Sequence, residues 1–306
     1  MTARVGAAPA KAARRRPRID RGARLVEVWL RSHTGLVFLF LYLPILIVIV
    51  YAFNGTTRRV TLWGGFSTKW FTAALGDEVV RKALINSFII ALPNAVMATA
   101  FGGAAALGLQ RVGRRTRIIF DALTYLSVIV PEIVIALATL ILFATGFDAV
   151  EGAFGIKLRF GHATIIAAHV LFNTSLVLLL VRARLTTMDR THVEASYDLF
   201  APPWPTFRQI TLPQLLPALV AGFLLSFTFS FDDYVITTFT SGPGATTLPL
   251  FIFGQIKRGV TPETNAVATM MLALTLALLA LGQWILTRQT RRQGGTSVAG
   301  IIVEQG

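Results

Sequence analysis

Three of the fifteen acidic residues lie in long apolar runs: Glu132, and the adjacent pair Asp232 and Asp233 in FDDYVITTF. A carboxylate in hydrocarbon costs at least ~2.5 kcal/mol on the insertion scale, so such groups line a pathway or meet a partner. Lys and Arg are absent from the interiors of these runs, so no internal ion-pair partner is offered. A cationic solute is then the natural counter-charge, and Tyr234 and Trp284 offer aromatic faces to it. The plainer reading is structural. One of the two aspartates caps a helix end or bonds to another subunit, and Glu132 is a protonated or hydrogen-bonded structural acid. Covalent chemistry has little to build on. There is no cysteine, the four histidines (33, 162, 169 and 192) have no ligand spacing, and no nucleophile stands beside a base. Neither catalytic residues nor a metal site is expected.

The second informative stretch is polar and joins two apolar runs: EASYDLFAPPWPTFRQITLP, residues 194–213. Thr191 is a candidate N-cap with Glu194 three residues later, the spacing of a capping box. An acidic residue near the helix start also suits the macrodipole. Pro202, Pro203 and Pro205 forbid continuation, because proline lacks the N–H donor and clashes with the preceding turn. The pattern predicts a short helix, a turn, and a second helix beginning near Thr206 and entering the membrane.

This stretch resembles the EAA loop of ABC-type importer permeases. That pattern is Glu-Ala-Ala, three residues, Gly, nine residues, Ile, one residue, Leu-Pro. Glu194, Ala195, Ile210, Leu212 and Pro213 fall on it, and Ser196 replaces the second Ala. The resemblance implies that Glu194, Ala195, Ser196 and Asp198 couple the spans to a separate ATPase subunit. Phe200 stands where the pattern has Gly. Glycine there would allow a positive φ, which Phe resists. Three readings stay open: the turn is made differently with help from the prolines, Phe200 plugs an apolar pocket on the partner, or coupling is weak. FDDYVITTF, SGPGATTLP (241–249), PETNAVAT (262–269), VTLWGGFSTKWF (60–71) and Pro131-Glu132 resemble the polyamine branch of these importers, the putrescine and spermidine permeases.

The elements that must carry these residues follow from composition. The chain has 306 residues, 54% hydrophobic and only 14% charged, where soluble domains are nearer a quarter charged. Apolar runs of about 20 residues recur, enough to cross a ~30 Å hydrocarbon core as helix. The fold class is all-α, a polytopic membrane protein with six spans, near 34–53, 83–109, 118–143, 161–181, 216–238 and 264–286. It is similar by resemblance to the type I ABC importer permease. Pro44 is expected to kink the first span. Trp63, Phe66, Trp70 and Phe71 mark an interfacial loop at 54–82, with a short helix after Ser67. Residues 144–160 read as a loop, and 250–260 as a re-entrant or interfacial helix.

The domain reading is a basic tail at 1–33, a permease domain at 34–287 with a coupling loop at about 182–215, and a tail at 288–306. The tail is expected to be disordered to about residue 20 and to form a short surface helix over 22–32. The net charge of +14 fits the cytoplasmic bias of basic residues better than nucleic-acid binding. The N-tail, the 111–117 and 182–215 loops and the C-tail hold 20 Lys and Arg against 9 in the other loops. This places both termini and the 182–215 loop in the cytoplasm, and the resemblance implies a multi-pass protein of the bacterial inner membrane.

No phosphate-cradling Gly-x-x-x-x-Gly-Lys-Ser/Thr loop occurs, and GPGATT (242–247) lacks the lysine. ATP and Mg are therefore expected on partner ATPases, with no cofactor in this chain. The remaining partners implied are a second related permease, a periplasmic substrate-binding protein and the lipid bilayer. The function expected is inward transport by alternating access. Another cargo (iron, amino acid or sulfur compound) and an ion-coupled secondary transporter using Glu132 and Asp232 stand as alternatives.

Overall fold

The computed structural model describes residues 21–56 and 63–294. The expected disorder of residues 1–20, the end of the C-tail from 295, and residues 57–62 of the aromatic loop lie outside them. Contacts divide the chain after Val48 into two units. Helix α1, Arg21–Ala52, is continuous, so the separate surface helix expected at 22–32 is instead the first turns of the first span. No proline or glycine cluster interrupts it before Pro44.

Within the second unit the elements follow as α2 (Lys69–Gly76), α3 (Glu78–Gly108), α4 (Arg114–Ile129), α5 (Glu132–Phe154) and α6 (His162–Thr187). Next come α7 (Thr191–Asp198), α8 (Pro203–Thr206) and a π-helical turn at Phe207–Thr211. The chain then continues through α9 (Leu212–Asp232), α10 (Val235–Thr240), α11 (Leu248–Arg258) and α12 (Pro262–Gly294). Among the described residues six helical segments are long and apolar enough to cross a membrane: Leu25–Ala52, Glu78–Gly108, Glu132–Phe154, His162–Thr187, Pro203–Asp232 and Pro262–Trp284. The protein is a helical multi-pass membrane protein.

Two expected spans are broken. The third, expected at 118–143, divides into α4 and α5 because Pro131 lacks a donor and pushes Val130 into extended backbone, ψ 132°. Glu132 therefore opens α5 rather than lying in mid-helix, and its charge suits the helix start. Helix α5 then runs through the loop expected at 144–160 as far as Phe154, where Gly155 at φ 70° ends it in the left-handed conformation. The fifth, expected at 216–238, breaks at Asp233, with α10 beyond. The expected short helix at 250–260 is α11, and α12 carries helical structure past 287 into the expected tail.

The centre of the second unit is α3, α6 and α9. Small residues let them approach. A Cβ on Gly102 of α3 would sit 2.8 Å from Val177 Cβ and 2.9 Å from the Thr174 carbonyl oxygen, and one on Gly222 of α9 would sit 3.1 Å from Val177 Cγ1. Gly102→Val is therefore expected to destabilise the fold by ~1–3 kcal/mol or more through overpacking, read as a lower melting temperature in detergent. An unchanged melt would show that α3 and α6 can separate freely.

Polar side chains then fix the register. Asn94 Nδ2 donates to Ser226 O (3.0 Å) and Asn173 Nδ2 to Asn94 Oδ1 (3.2 Å), joining all three helices. The loop carrying SGPGATTLP is pinned in the same way. Asn86 Nδ2 donates to the carbonyls of Gly244 and Thr246, both at 2.9 Å, and Thr164 Oγ1 donates to Thr240 O at 2.7 Å. Arg182, beyond the expected end of the fourth span, lies inside α6 and pairs with Asp121 of α4. Near the aromatic loop, Trp70 donates its indole N–H to Asn54 O (2.9 Å), so it is built into the loop fold. Helix α2 starts after Thr68, and Ser67 Oγ accepts from the Lys69 N–H at 3.3 Å.

Candidate functional site

The polar loop folds as two short helices around one left-handed residue. Helix α7 is capped by Asp189 rather than by the expected Thr191. Asp189 Oδ1 accepts from the Thr191 hydroxyl at 2.6 Å and the Thr191 N–H at 2.9 Å. An Asp two residues earlier reaches that N–H, and Thr191 is already the first residue of the helix, one position too late to act as its N-cap. The two bonds from Thr191 hold the Asp189 carboxyl below the usual carboxylate range. Its contribution to α7 is therefore present above the ordinary carboxylate pKa and is lost as pH falls through the lower folded value. Asp189→Ala is expected to speed amide exchange of α7 at neutral pH, and acidification of the native protein to mimic it. Exchange indifferent to both would remove Asp189 as the cap.

At the other end of α7, the Phe200 N–H donates to Tyr197 O (2.9 Å) and the Ala201 N–H to Ser196 O (2.9 Å). These are the two bonds of a Schellman turn, whose following residue must be left-handed. That residue is Phe200, at φ 58°, the one non-glycine residue with positive φ among those described. The prolines do not make the turn in another way. Phe200 takes the glycine conformation, and its side chain is 93% exposed beside Leu199 at 82% and Trp204 at 67%. The helix then resumes at Pro203, three residues before the expected Thr206. Proline at the first helical position lacks only an N–H that has no intrahelical partner.

Glu194, Ala195 and Asp198 lie exposed on α7. Ser196 is buried, with its Oγ 3.2 Å from Thr206 Oγ1, so it holds α7 to α8 instead of facing outward. Ile210 belongs to the π-turn, and Leu212 and Pro213 open α9, tying the loop to a span.

The acidic residues separate into different environments. Asp233 is buried and caps α10. Its Oδ2 accepts from the Thr237 N–H at 2.7 Å and the Thr237 hydroxyl at 2.6 Å, and its Oδ1 from the Ile236 N–H at 3.3 Å. His169 of α6, 2% exposed, places Nε2 3.1 Å from Asp233 Oδ2 and Nδ1 2.7 Å from Ser230 Oγ. Helix α5, which Glu132 opens, packs on α6 and α10 through Ala136, Ala168 and Ile236. The breaks in the third and fifth spans thus lie against one another. Asp232 points elsewhere, with Oδ1 accepting from Thr275 Oγ1 of α12 at 3.2 Å. One face of Tyr234 is covered by Phe253, centroids 3.8 Å apart. Trp284 carries the Arg288 guanidinium at 3.6 Å, so its ring already has a cation.

A family profile described as "Binding-protein-dependent transport system inner membrane component" matches residues 98–294. The chain belongs to this family. It is a permease subunit of an ABC-type importer. It is 39% identical over 257 residues to the putrescine transport system permease protein PotI of Escherichia coli K12, covering 84% of this chain and 89% of that one. It is 38% identical over 249 residues to the spermidine/putrescine transport system permease protein PotC of Haemophilus influenzae, covering 81% and 93%. Its fold is shared with a chain of a bacterial ABC transporter that imports alginate, with a TM-score of 0.74 at 13% identity, covering 88% and 96%. The alginate transporter bound to its periplasmic protein gives 0.70 at 14% identity.

In this permease the sequence reading missed His169. Its neighbours carried a signal nonetheless. His169 and Asn173 lie four apart on α6, and Ser226 and Ser230 lie four apart on α9, with Asp233 three residues further at its end. Helical neighbours at that spacing share a face, so two apolar spans each carry a polar stripe, and the stripes meet.

Proposed function

We propose that this chain is a permease subunit of an ATP-driven polyamine importer, moving putrescine or spermidine inward by alternating access. The observation that carries the cargo is the 39% identity to a putrescine permease along 84% of this chain. The chemistry agrees. A polyamine is a flexible polycation, and the spans offer carboxylates without Lys or Arg beside them. Glu132 and Asp232 are the pathway groups. Asp233 is a positioning residue, since its oxygens are taken by His169, Thr237 and the start of α10.

The coupling loop at 182–215 and both termini lie in the cytoplasm. Glu194, Ala195, Asp198 and Phe200 meet one of two ATPase subunits, which bind the ATP and Mg. Ser196, Ile210, Leu212 and Pro213 transmit the push to α9. A second, related permease completes the pathway, and a periplasmic binding protein delivers cargo. Polar residues at the helix breaks support this reading, because discontinuous spans place backbone and carboxylates where a solute passes.

The test is reconstitution with the ATPase, partner permease and binding protein, followed by ATP hydrolysis with and without putrescine. Stimulation by putrescine that is lost in Asp232→Asn and Glu194→Ala is the expected result. Stimulation only by an iron, amino-acid or sulfur-compound cargo would remove the polyamine assignment. Uptake without any ATPase that collapses with the proton gradient would remove the ATP-driven mechanism.

A further inference from the structure

A cavity of about 590 Å³ lies between the end of α3, the end of α6 and the α7–α8 loop. Tyr197, Trp204 and Phe207 supply aromatic wall, and Arg111 and Arg190 supply charge. No acidic side chain lines it. Neither arginine makes an ion pair among the described residues, whereas nearby Arg182 is held by Asp121 and Arg117 by the carbonyls of Leu109 and Gln110. An adjoining polar cavity of about 280 Å³ shares Arg190 and adds Arg117 and Arg182, again without a carboxylate.

On its other side the first cavity meets an apolar groove of about 440 Å³ between α3 and α9, and the two share Leu107 and Phe207. The groove runs along α3 past Ala100 to Val96, with Leu219 and Phe223 of α9 opposite. From Leu107 to Val96 is roughly 16 Å at 1.5 Å per residue, close to half of a ~30 Å hydrocarbon core.

A basic mouth opening into an apolar slot one leaflet deep has the two chemistries of a single amphiphile. We propose that this site binds one anionic phospholipid from the cytoplasmic leaflet, its phosphodiester between Arg111 and Arg190 and an acyl chain in the α3–α9 groove. This rests on the cytoplasmic placement of the 182–215 loop. Basic pockets between spans on that side match the negative lipids there. Free phosphate would satisfy the arginines but leave the groove unexplained, and a neutral lipid would fill the groove but leave the arginines unpaired. The lipid lies against α7–α8 and the π-turn, the segment through which the coupling loop reaches α9. Single π-turns inside helices are frequent at functional positions.

The assembled importer, stripped of lipid in neutral detergent, is incubated with radiolabelled phosphatidylglycerol or phosphatidylcholine and desalted, and the lipid retained is counted. The expected result is about one phosphatidylglycerol per copy of this chain and little phosphatidylcholine. Arg111→Gln with Arg190→Gln should lower retention about tenfold or more, at roughly one lipid contact per guanidinium. Arg115→Gln, outside both cavities, should not change it. Leu107→Trp, which closes the junction between mouth and groove, should also lower it, as a site for the phosphate alone would not. Equal retention of the two lipids overturns the proposal, as does indifference to the arginine pair, displacement by glycerol phosphate at matched concentration, or no retention because the partner permease covers the groove. Putrescine-stimulated ATP hydrolysis of the same samples separates this failure from failure of the importer reading.

Discussion

Asp233→Ala is expected to lower stability by ~3–5 kcal/mol, because it leaves several buried donors without their acceptor at ~1–3 kcal/mol each. Asp232→Asn, one residue away, is expected to change it little. The contrast follows from where the two carboxylates go. Removing the Asp233 carboxylate strands the His169 imidazole, 2% exposed, together with the Thr237 hydroxyl and the N–H groups that open α10. Asp232 is exposed and, among the described residues, hydrogen-bonds to the Thr275 hydroxyl. Its amide keeps an acceptor for that bond but loses the charge a polyamine would need. Melting in detergent and cargo-stimulated ATP hydrolysis should therefore separate the two variants: the first falls in both measurements, the second in hydrolysis alone. Equal melting temperatures would show that the cluster does not hold α6, α9 and α10 together.

Phe200→Gly is expected to act in opposite directions on the isolated chain and on its assembly. A left-handed residue with a Cβ costs ~1–2 kcal/mol relative to glycine, so the isolated permease should melt at the same temperature or higher. The variant also removes a side chain that is 93% exposed. Strain of this kind persists where it serves a site. Burying a Phe contributes ~1.5–3 kcal/mol, so association with the ATPase should weaken roughly tenfold to a hundredfold. Phe200→Ala keeps the strain and loses the ring, so it should melt like the unaltered chain and bind the ATPase as weakly as Phe200→Gly. A lower melting temperature for Phe200→Gly would contradict the Schellman turn. Unchanged ATPase binding would remove Phe200 from the contact surface and leave its strain without a function.

Much of this permease is legible in one dimension, because a bilayer imposes a local rule. A span must be about 20 residues of apolar helix, and a window along the chain detects that without knowledge of neighbours. Five of the six spans were located in this way; the third was placed too early, at 118–143, where the spanning helix is Glu132–Phe154. The EAA pattern is likewise local, since its residues lie within one loop and its turn chemistry is written in adjacent positions. Phe200 was identifiable as standing at the pattern's glycine, but that it takes the left-handed conformation there was seen only in the structure.

What sequence alone left undecided depends on pairs distant in the chain. Glu132, His169 and Asp233 come from α5, α6 and the end of α9, and only packing around Gly102, Gly222 and Val177 brings α3, α6 and α9 close enough for the polar stripes to meet. Asp232 and Asp233 are chemically identical and adjacent. Their roles diverge because the helix ends between them, turning one carboxylate inward to cap α10 and leaving the other outside. The same holds for Thr191 and Asp189, both able to cap α7, where backbone geometry at the end of α6 gives the position to Asp189. Residue types and spacing determined the class of machine. Tertiary structure decided which acid holds the fold and which is free to meet a cation, because hydrogen-bond satisfaction in a buried site is a property of all its neighbours together.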